Sequence, residues 1–287
     1  MANTKEVRKQ IASIKSTQKI TSAMEMVAAS KMKRTQDLMM VGRPYSNKIQ
    51  EVISHIATSN SEHAHPFYED RTVKKACFIV VSTDKGLCGG LNINLFKSIV
   101  AKAAEFKTNG IDSSFALIGL KASAFFQSVG GEVVATADKL GDQPNPEDLI
   151  GLTKVVLDLH KNQDVDEVYL CSNRFVNTMT QQPTITQLIP LPAIEDENLV
   201  STHWDYIYEP EAAELLDGLL TRYIEALIYQ AVVENNACEQ AAKMIAMKNA
   251  SENAGDLIKE LELLYNNVRQ AAITQELSEI VGGAAAV

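Results

Sequence analysis

The chain has 287 residues, of which 46% are hydrophobic and 22% charged, and its formal net charge is −9. This length allows one or two domains with a real core, while the negative charge argues against a general nucleic-acid binder. No stretch approaches the roughly 18 consecutive apolar residues of a membrane-spanning helix.

The first residues, MANTKE, have neither an apolar signal core nor an Arg/Ser-rich presequence, so we expect neither export nor import. The four cysteines show no CxxC spacing, which favours a reducing cytoplasm. They are Cys77, Cys88, Cys171 and Cys238.

The segment from residue 4 to about residue 58 predicts a long helix. Apolar and small side chains recur at helical spacing, first as Val7, Ile11, Ile14, Thr21 and Ala28 and then as Leu38, Val41 and Tyr45. Gly42 and Pro44 are expected to kink or interrupt this helix. A single helix of this length is not stable alone in water, so its apolar stripe predicts a partner.

The middle of the chain alternates between strand and helix patterns. Strands are predicted at residues 76–82, 115–119, 132–135, 167–172 and 184–191, the last as an edge strand. Helices are predicted at residues 93–107, 121–129 and 146–162, the third with Asn145 as N-cap and Pro146 in its first position. This alternation indicates an α/β domain with a mostly parallel sheet in a Rossmann-like order.

The last segment predicts a second long helix. All eight prolines lie between Pro44 and Pro210, and residues 211–280 contain only Gly218 and Gly255 as mild breakers. Globular helices usually run about 8–20 residues, so this segment is typical of a coiled coil or a spanning rod. Its apolar stripe is read as Leu257, Leu261, Leu264, Val268 and Ala271.

Charge makes the two long helices candidate partners. Residues 1–58 carry ten Lys or Arg and four Asp or Glu. Residues 209–287 carry five Lys or Arg and thirteen Asp or Glu. Opposite charge and one apolar stripe on each predict a long antiparallel coiled coil; the alternative is two unrelated solvated faces. The predicted domains are residues 1–58, an α/β domain at 59–208, and residues 209–287.

A glycine-rich loop at residues 82–92 follows the first strand and opens a helix, where α/β proteins often bind phosphates. Its sequence, STDKGLCGGLN, matches neither GxxxxGK[ST] nor GxGxxG. We interpret it as a structural turn that needs glycine geometry, with phosphate binding as the weaker alternative.

Catalytic arrangements are not indicated elsewhere. His63 and His65 lie beside Glu62 on a polar stretch, where a metal site is a weak alternative to an ordinary loop. Cys88 lies in the glycine-rich loop with no base placed beside it by the sequence, so an unactivated thiol is expected. No cofactor or metal is predicted.

Three segments together resemble the γ subunit of F-type ATP synthases. Residues 273–286 (ITQELSEIVGGAAA) are similar to that family's C-terminal signature, and residues 19–31 (KITSAMEMVAASK) to its N-terminal stretch. Residues 83–92 are similar to its central-domain loop. The resemblance covers the whole chain in order. The chain lacks the long insertion with paired cysteines of chloroplast relatives, which implies a bacterial or non-plastid form.

This resemblance implies a non-catalytic rotor subunit. In that family the terminal helices enter a ring of alternating α and β subunits, and the globular domain sits on the membrane c ring beside the ε subunit. Rotation couples proton flow to ATP synthesis at β, while ATP and Mg²⁺ are bound by α and β. The implied location is peripheral, on the cytoplasmic face of the cell (inner) membrane, without direct membrane insertion and without nucleic acid.

The same resemblance assigns contact residues. Contacts with the β subunit are expected from Arg269, Gln270, Thr274, Glu276 and, at the same level on the first helix, Met24. A small apolar bearing tip is expected at Gly282, Gly283, Ala284, Ala285, Ala286 and Val287. Contacts with the c ring and ε are expected from Trp204, Tyr206, Tyr208 and Glu209, here called the foot cluster. The alternatives are that Arg269 is a solvated residue and that the foot aromatics pack the domain base.

Two other classes of protein are less consistent with the sequence. An α/β enzyme with coiled-coil dimerisation arms would need a ligand fingerprint in the glycine-rich loop. A purely structural coiled-coil scaffold would need neither a Rossmann-like middle nor a small apolar tip.

Overall fold

The computed structural model describes residues 4–59, 66–69, 71–191 and 212–285. The elements in chain order are α1 (Thr4–Ser59), a 3₁₀ helix (Pro66–Tyr68), β1 (Lys75–Val81), α2 (Leu91–Thr108), β2 (Asp112–Ile118), α3 (Leu120–Val129), β3 (Glu132–Ala137), α4 (Glu147–Lys161), β4 (Glu167–Phe175), β5 (Gln181–Ile189) and α5 (Ala212–Ala285). Across these described ranges, no helix has both the length and the apolar content needed to cross a membrane.

The five strands form one sheet in the order β3-β2-β1-β4-β5. β1 pairs in parallel with β2 and β4, and β2 with β3, whereas β5 runs antiparallel to β4 at the edge. This is the strand order of a doubly wound dinucleotide-binding fold. The predicted mostly parallel sheet, its Rossmann-like order and the edge position of the last strand are confirmed.

β1 is apolar and buried from Ala76 to Val81 because helices cover both faces of the sheet. Cys77, Ile79 and Val81 belong to a core that includes side chains of α4 and the first part of α5, such as Ile224 and Ile228. The alternate residues of β1 belong to a second core, with side chains of α2 and α3. The early turns of α5 are therefore part of the α/β layer structure.

Contacts divide the chain into two units, one formed by Met1–Ser30 with Lys243–Val287 and the other by Lys31–Ala242. Both boundaries fall inside the long helices α1 and α5. The predicted division at residues 58 and 208 stays a prediction, because residues 60–65 and 192–211 lie outside the described ranges.

One local expectation is wrong. Asn145 does not cap α4: Pro146 occupies the N-cap position without a side-chain cap bond, and Asn145 contributes only its carbonyl, 3.2 Å from the Asp148 N–H nitrogen. Glu147 and Asp148 instead place negative charge in the first turn, where it offsets the helix dipole. At Gly42 and Pro44 the sequence predicts a kink or an interruption; α1 continues there without interruption, because a proline removes one helical bond while the adjacent turns can continue. A kink there stays a prediction.

Candidate functional site: the paired terminal helices

Within the unit formed by Met1–Ser30 and Lys243–Val287, α1 and α5 pair in opposite directions. Lys15 Nζ lies 2.7 Å from Glu262 Oε1, and the Gln18 amide donates to the Ser251 carbonyl at 3.2 Å. Partner numbers fall on α5 as they rise on α1, so the predicted antiparallel pairing is confirmed. The ion pair is half-exposed, and such pairs contribute at most about 1 kcal/mol.

The apolar seam of α5 lies one residue away from part of its predicted position. Ala254 and Ile258 are buried, whereas Leu257 and Leu264 are 49% and 43% exposed. The observed seam continues through half-buried Leu261, Tyr265 and Val268, and the predicted Ala271 is exposed. Gly255 allows close packing on this face: a Cβ built there would lie only 3.1 Å from Gln18 Nε2 of α1.

The predicted stripe of α1 is correct in its first part and wrong at Val41 near its end. Val7 and Ala28 are buried, and Ile11, Ile14 and Thr21 are half-buried. In the second unit, Leu38 is half-buried beside Met39, which packs against Val233 and Ala237 of α5. Val41 is 75% exposed, and the side chain of Tyr45 lies outside the described residues.

The end of α5 extends beyond the start of α1. The Lys15–Glu262 pair makes Thr4, the first residue of α1, level with about residue 273 of α5. Ile273, Leu277, Ile280 and Val281 are 47–67% exposed, and the first three lie on one face at i, i+4 and i+7. We call these four residues the exposed stripe. A row of exposed apolar side chains on one helix face makes this segment a candidate interaction surface.

The glycine-rich loop is held by its own polar side chains. Asp84 Oδ1 accepts the backbone N–H of Leu120, at the start of α3, at 3.1 Å and that of Lys139 at 3.2 Å. Asn92 donates to Thr83 Oγ1 at 2.7 Å, and Thr83 donates to the Lys85 carbonyl at 2.6 Å. These bonds favour the structural interpretation of the loop, because Thr83, Asp84 and Asn92 are occupied in holding the loop itself and the start of α3.

Titratable groups in the α/β unit are buried in ways that disfavour their charged forms. Burial raises the pKa of the Cys77 thiol to about 11 and also raises the pKa of Cys171 and Cys238. Burial lowers the pKa of His160, which packs against Phe67. In the described residues, no three His, Cys, Asp or Glu side chains are grouped to hold a metal ion.

A protein-family model described as ATP synthase matches residues 3–287. The chain belongs to the ATP synthase γ family.

Solved structures with this fold are similar at low identity. A chain of the Tetrahymena thermophila mitochondrial ATP synthase central stalk and c-ring matches with a TM-score of 0.62 and 24% identity, covering 81% of this chain and 99% of that one. A chain of the Euglena gracilis mitochondrial ATP synthase rotor matches with a TM-score of 0.65 and 18% identity, covering 94% of this chain and 98% of that one. A chain of the Euglena gracilis mitochondrial ATP synthase OSCP/F1/c-ring assembly matches with a TM-score of 0.64 and 18% identity, covering 99% of this chain and 94% of that one. At these identities the likeness shows a shared fold.

The residues that the γ-family resemblance assigns to β contact do not lie at one level. Arg269, Gln270, Thr274 and Glu276 are exposed on α5, and Met24 is half-buried on α1. Met24 and Arg269 lie in opposite directions along the pair from the Lys15–Glu262 bridge. At 1.5 Å per residue their levels differ by at least about 24 Å. The expectation that Met24 faces the level of Arg269 is wrong, because antiparallel pairing carries the two residues apart.

The structure describes the predicted bearing tip only in part and the predicted foot contacts not at all. Gly282 and Ala284 are exposed near the end of α5, which runs to Ala285. The exposure of Gly283 and Ala285 lies outside the description. The same is true of all of Ala286, Val287, His63, His65 and the foot cluster of Trp204, Tyr206, Tyr208 and Glu209. The bearing tip and the foot contacts stay predictions.

The exposed stripe was not predicted from the sequence. The signal was available, because apolar residues continue at helical spacing to Val281 in a segment longer than its partner helix. Reading this signal requires the pairing register, which the structure supplies through the contacts of Lys15 and Gln18.

Proposed function

We propose that this chain is the rotor shaft of an F1Fo ATP synthase, coupling proton flow through the membrane c ring to ATP synthesis at β. The shaft turns inside the ring of α and β subunits and has no catalytic site of its own. The observation that carries the proposal is the exposed stripe at the end of α5, beyond the start of α1.

The contacts of the terminal helices support a shaft. A helix that transmits torque needs a paired second helix, and the bridge, the Gln18 bond and the buried seam provide that pairing. The exposed stripe offers apolar surface to the inside of a ring, and Arg269, Gln270, Thr274 and Glu276 offer hydrogen-bonding groups to β. Met24 serves a separate contact with β, about 24 Å or more from that of Arg269.

The remaining parts of the chain have roles in the same scheme. The small residues 282–287 form the bearing tip. The foot cluster contacts the c ring and ε, which holds the chain peripherally at the cytoplasmic face of the membrane. Nucleotide and Mg²⁺ belong to α and β, since the polar side chains of the glycine-rich loop are occupied in holding that loop.

The test is co-purification of the tagged full chain with α, β, ε and the c ring from membranes under mild conditions. The variant Ile273→Ser/Leu277→Ser/Ile280→Ser removes most of the exposed stripe and is expected to weaken recovery with α and β. The matched control is Ile93→Ser, an equally exposed apolar residue on α2 of the α/β unit (69% exposed), which is expected to leave recovery unchanged. Failure of the wild-type chain to recover α and β would refute the proposal.

A further inference from the structure

A buried polar contact joins α5 to the end of β4. Asn173 on β4 and Asn235 on α5 are 1% and 0% exposed, and Asn173 Nδ2 donates to Asn235 Oδ1 at 2.9 Å. The positions one turn away on the same face of α5, Ala231, Val232 and Cys238, are all buried. Two polar amides therefore meet in a buried place, where apolar side chains would avoid the cost of removing polar groups from water.

Two more hydrogen bonds converge on the same strand end. The Phe175 backbone N–H donates to Glu234 Oε1 at 3.0 Å, and the Cys238 thiol donates to the Asn173 carbonyl at 3.3 Å. Cys238 lies one turn after both Glu234 and Asn235 on α5, at i+4 and i+3, so each of them has Cys238 as a neighbour on the helix surface. We call these three residues, with Asn173 and the Phe175 amide, the amide clamp.

Stability alone does not account for the amide clamp. Asn235 Nδ2 has no hydrogen-bond partner within the part of the chain that the structure describes. A buried amide N–H without a partner costs free energy that an apolar side chain would not. Buried polar groups of this kind are best known for fixing the register of packed helices.

Directed bonds fix a register that apolar contacts leave loose. Moving α5 by one residue against the sheet shifts its side chains by about 1.5 Å and turns them by about 100°. Such a move breaks all three bonds of the amide clamp at once, because hydrogen bonds weaken steeply when they are misaligned. Apolar side chains, in contrast, can repack in several arrangements at similar free energy.

We propose that Asn173 and Asn235 are positioning residues that lock the rotation of α5 to the sheet, so that torque on the α/β domain passes to the helix. The proposal rests on the proposed rotor function and adds to it the place where force enters the long helix. Sheet and helix then turn as one body, and slip at this contact is prevented by the amide clamp.

The decisive variant is Asn173→Val/Asn235→Ala, tested in the whole complex. Val suits a strand and Ala suits a helix, and the pair keeps nearly the same total volume. We expect assembly and ATP hydrolysis to stay at wild-type levels and the urea midpoint of the isolated chain to stay equal or rise. In membrane vesicles, the fraction of ATP hydrolysed without proton pumping is expected to rise about fivefold, as for the loss of one hydrogen bond.

The matched control is Val233→Ala, which removes buried packing beside the amide clamp and leaves its bonds in place. It is expected to lower the urea midpoint while the ratio of protons pumped to ATP hydrolysed stays unchanged. A double variant that pumps as well as wild type, or two variants whose coupling falls in step with their stability, would overturn the proposal. If the wild-type complex itself does not pump, the rotor function fails, which is a separate result.

Discussion

At Gly119, backbone conformation and close neighbours both require glycine. Its φ is +92°, and a Cβ built there would lie 2.5 Å from the Ser82 carbonyl oxygen. Ser82 cannot move away easily, because its N–H donates to the Ile118 carbonyl at 2.8 Å and its Oγ accepts the Ala122 N–H at 2.9 Å. We expect Gly119→Ala to lower the free energy of unfolding by about 3 kcal/mol or more, measured by urea denaturation.

The matched control for Gly119 is Gly110→Ala. Gly110 has a φ of +76° but no atom within 4 Å of its built Cβ, so only the backbone cost of about 1–2 kcal/mol is expected. Equal losses for the two variants would mean that the Ser82 contact relaxes at little cost.

His160 predicts a pH dependence of stability. Its ring is 0% exposed, and burial lowers its pKa although the Pro66 and Val165 carbonyls near its two nitrogens favour the charged form. Below the ordinary histidine pKa of about 6.5, the unfolded chain binds a proton that the folded chain resists, so stability falls as pH falls. Urea midpoints at pH 7 and pH 5 should differ more for wild type than for His160→Gln, and equal differences would contradict this.

Single residues were the least predictable from the sequence. Asn145 before Pro146 is a favourable cap pattern, yet the structure starts α4 at Glu147 with its first-turn charge on Glu147 and Asp148. Which face of α5 meets α1 was equally ambiguous, because Leu257 and Ile258 are adjacent and both fit a step of four and three. Burial of one and exposure of the other depend on where Gln18 and Gly255 bring the backbones close.

At the scale of elements, the seam of α5 gives a matched pair of variants. Ile258 is 7% exposed and Leu257 is 49% exposed. Truncation of a buried Ile costs about 2–5 kcal/mol, so Ile258→Ala should lower the unfolding midpoint of the helix pair strongly. Leu257→Ala should change it little. The measurement is thermal unfolding of the full chain by circular dichroism, and a larger effect at Leu257 would place the seam where the sequence suggested.

The strands and helices of the α/β unit were predictable, and their ends were not. All five predicted strands and three helices exist, because apolar runs and turn residues specify them locally. β2 begins at Asp112 rather than at residue 115, since polar residues there pair with β1 through Lys75. β4 and β5 likewise extend to Phe175 and Gln181, which pair with each other. Polar strand ends leave no apolar pattern, so only pairing reveals them.

At the scale of the whole molecule, the antiparallel register predicts how two β-contact variants combine. Met24→Lys adds a cation at a half-buried position, where a charge-assisted bond to a partner is worth about 1.5–3 kcal/mol. Such a bond favours one rotor angle. It should therefore impair the coupling of ATP hydrolysis to proton pumping more than it impairs assembly of the complex. Arg269→Ala removes a cation whose level on the helix pair differs by at least about 24 Å.

Changes this far apart usually add within about 0.5 kcal/mol. The rates of ATP-driven proton pumping in membrane vesicles, compared for wild type, both single variants and the double variant, form a complete cycle. We expect the free-energy effects of Met24→Lys and Arg269→Ala to add. Partial relief of the Met24→Lys defect by Arg269→Ala would require one shared contact on β or a coupling carried through the ring. Additivity instead means that Met24 and Arg269 contact β at two separate levels along the helix pair.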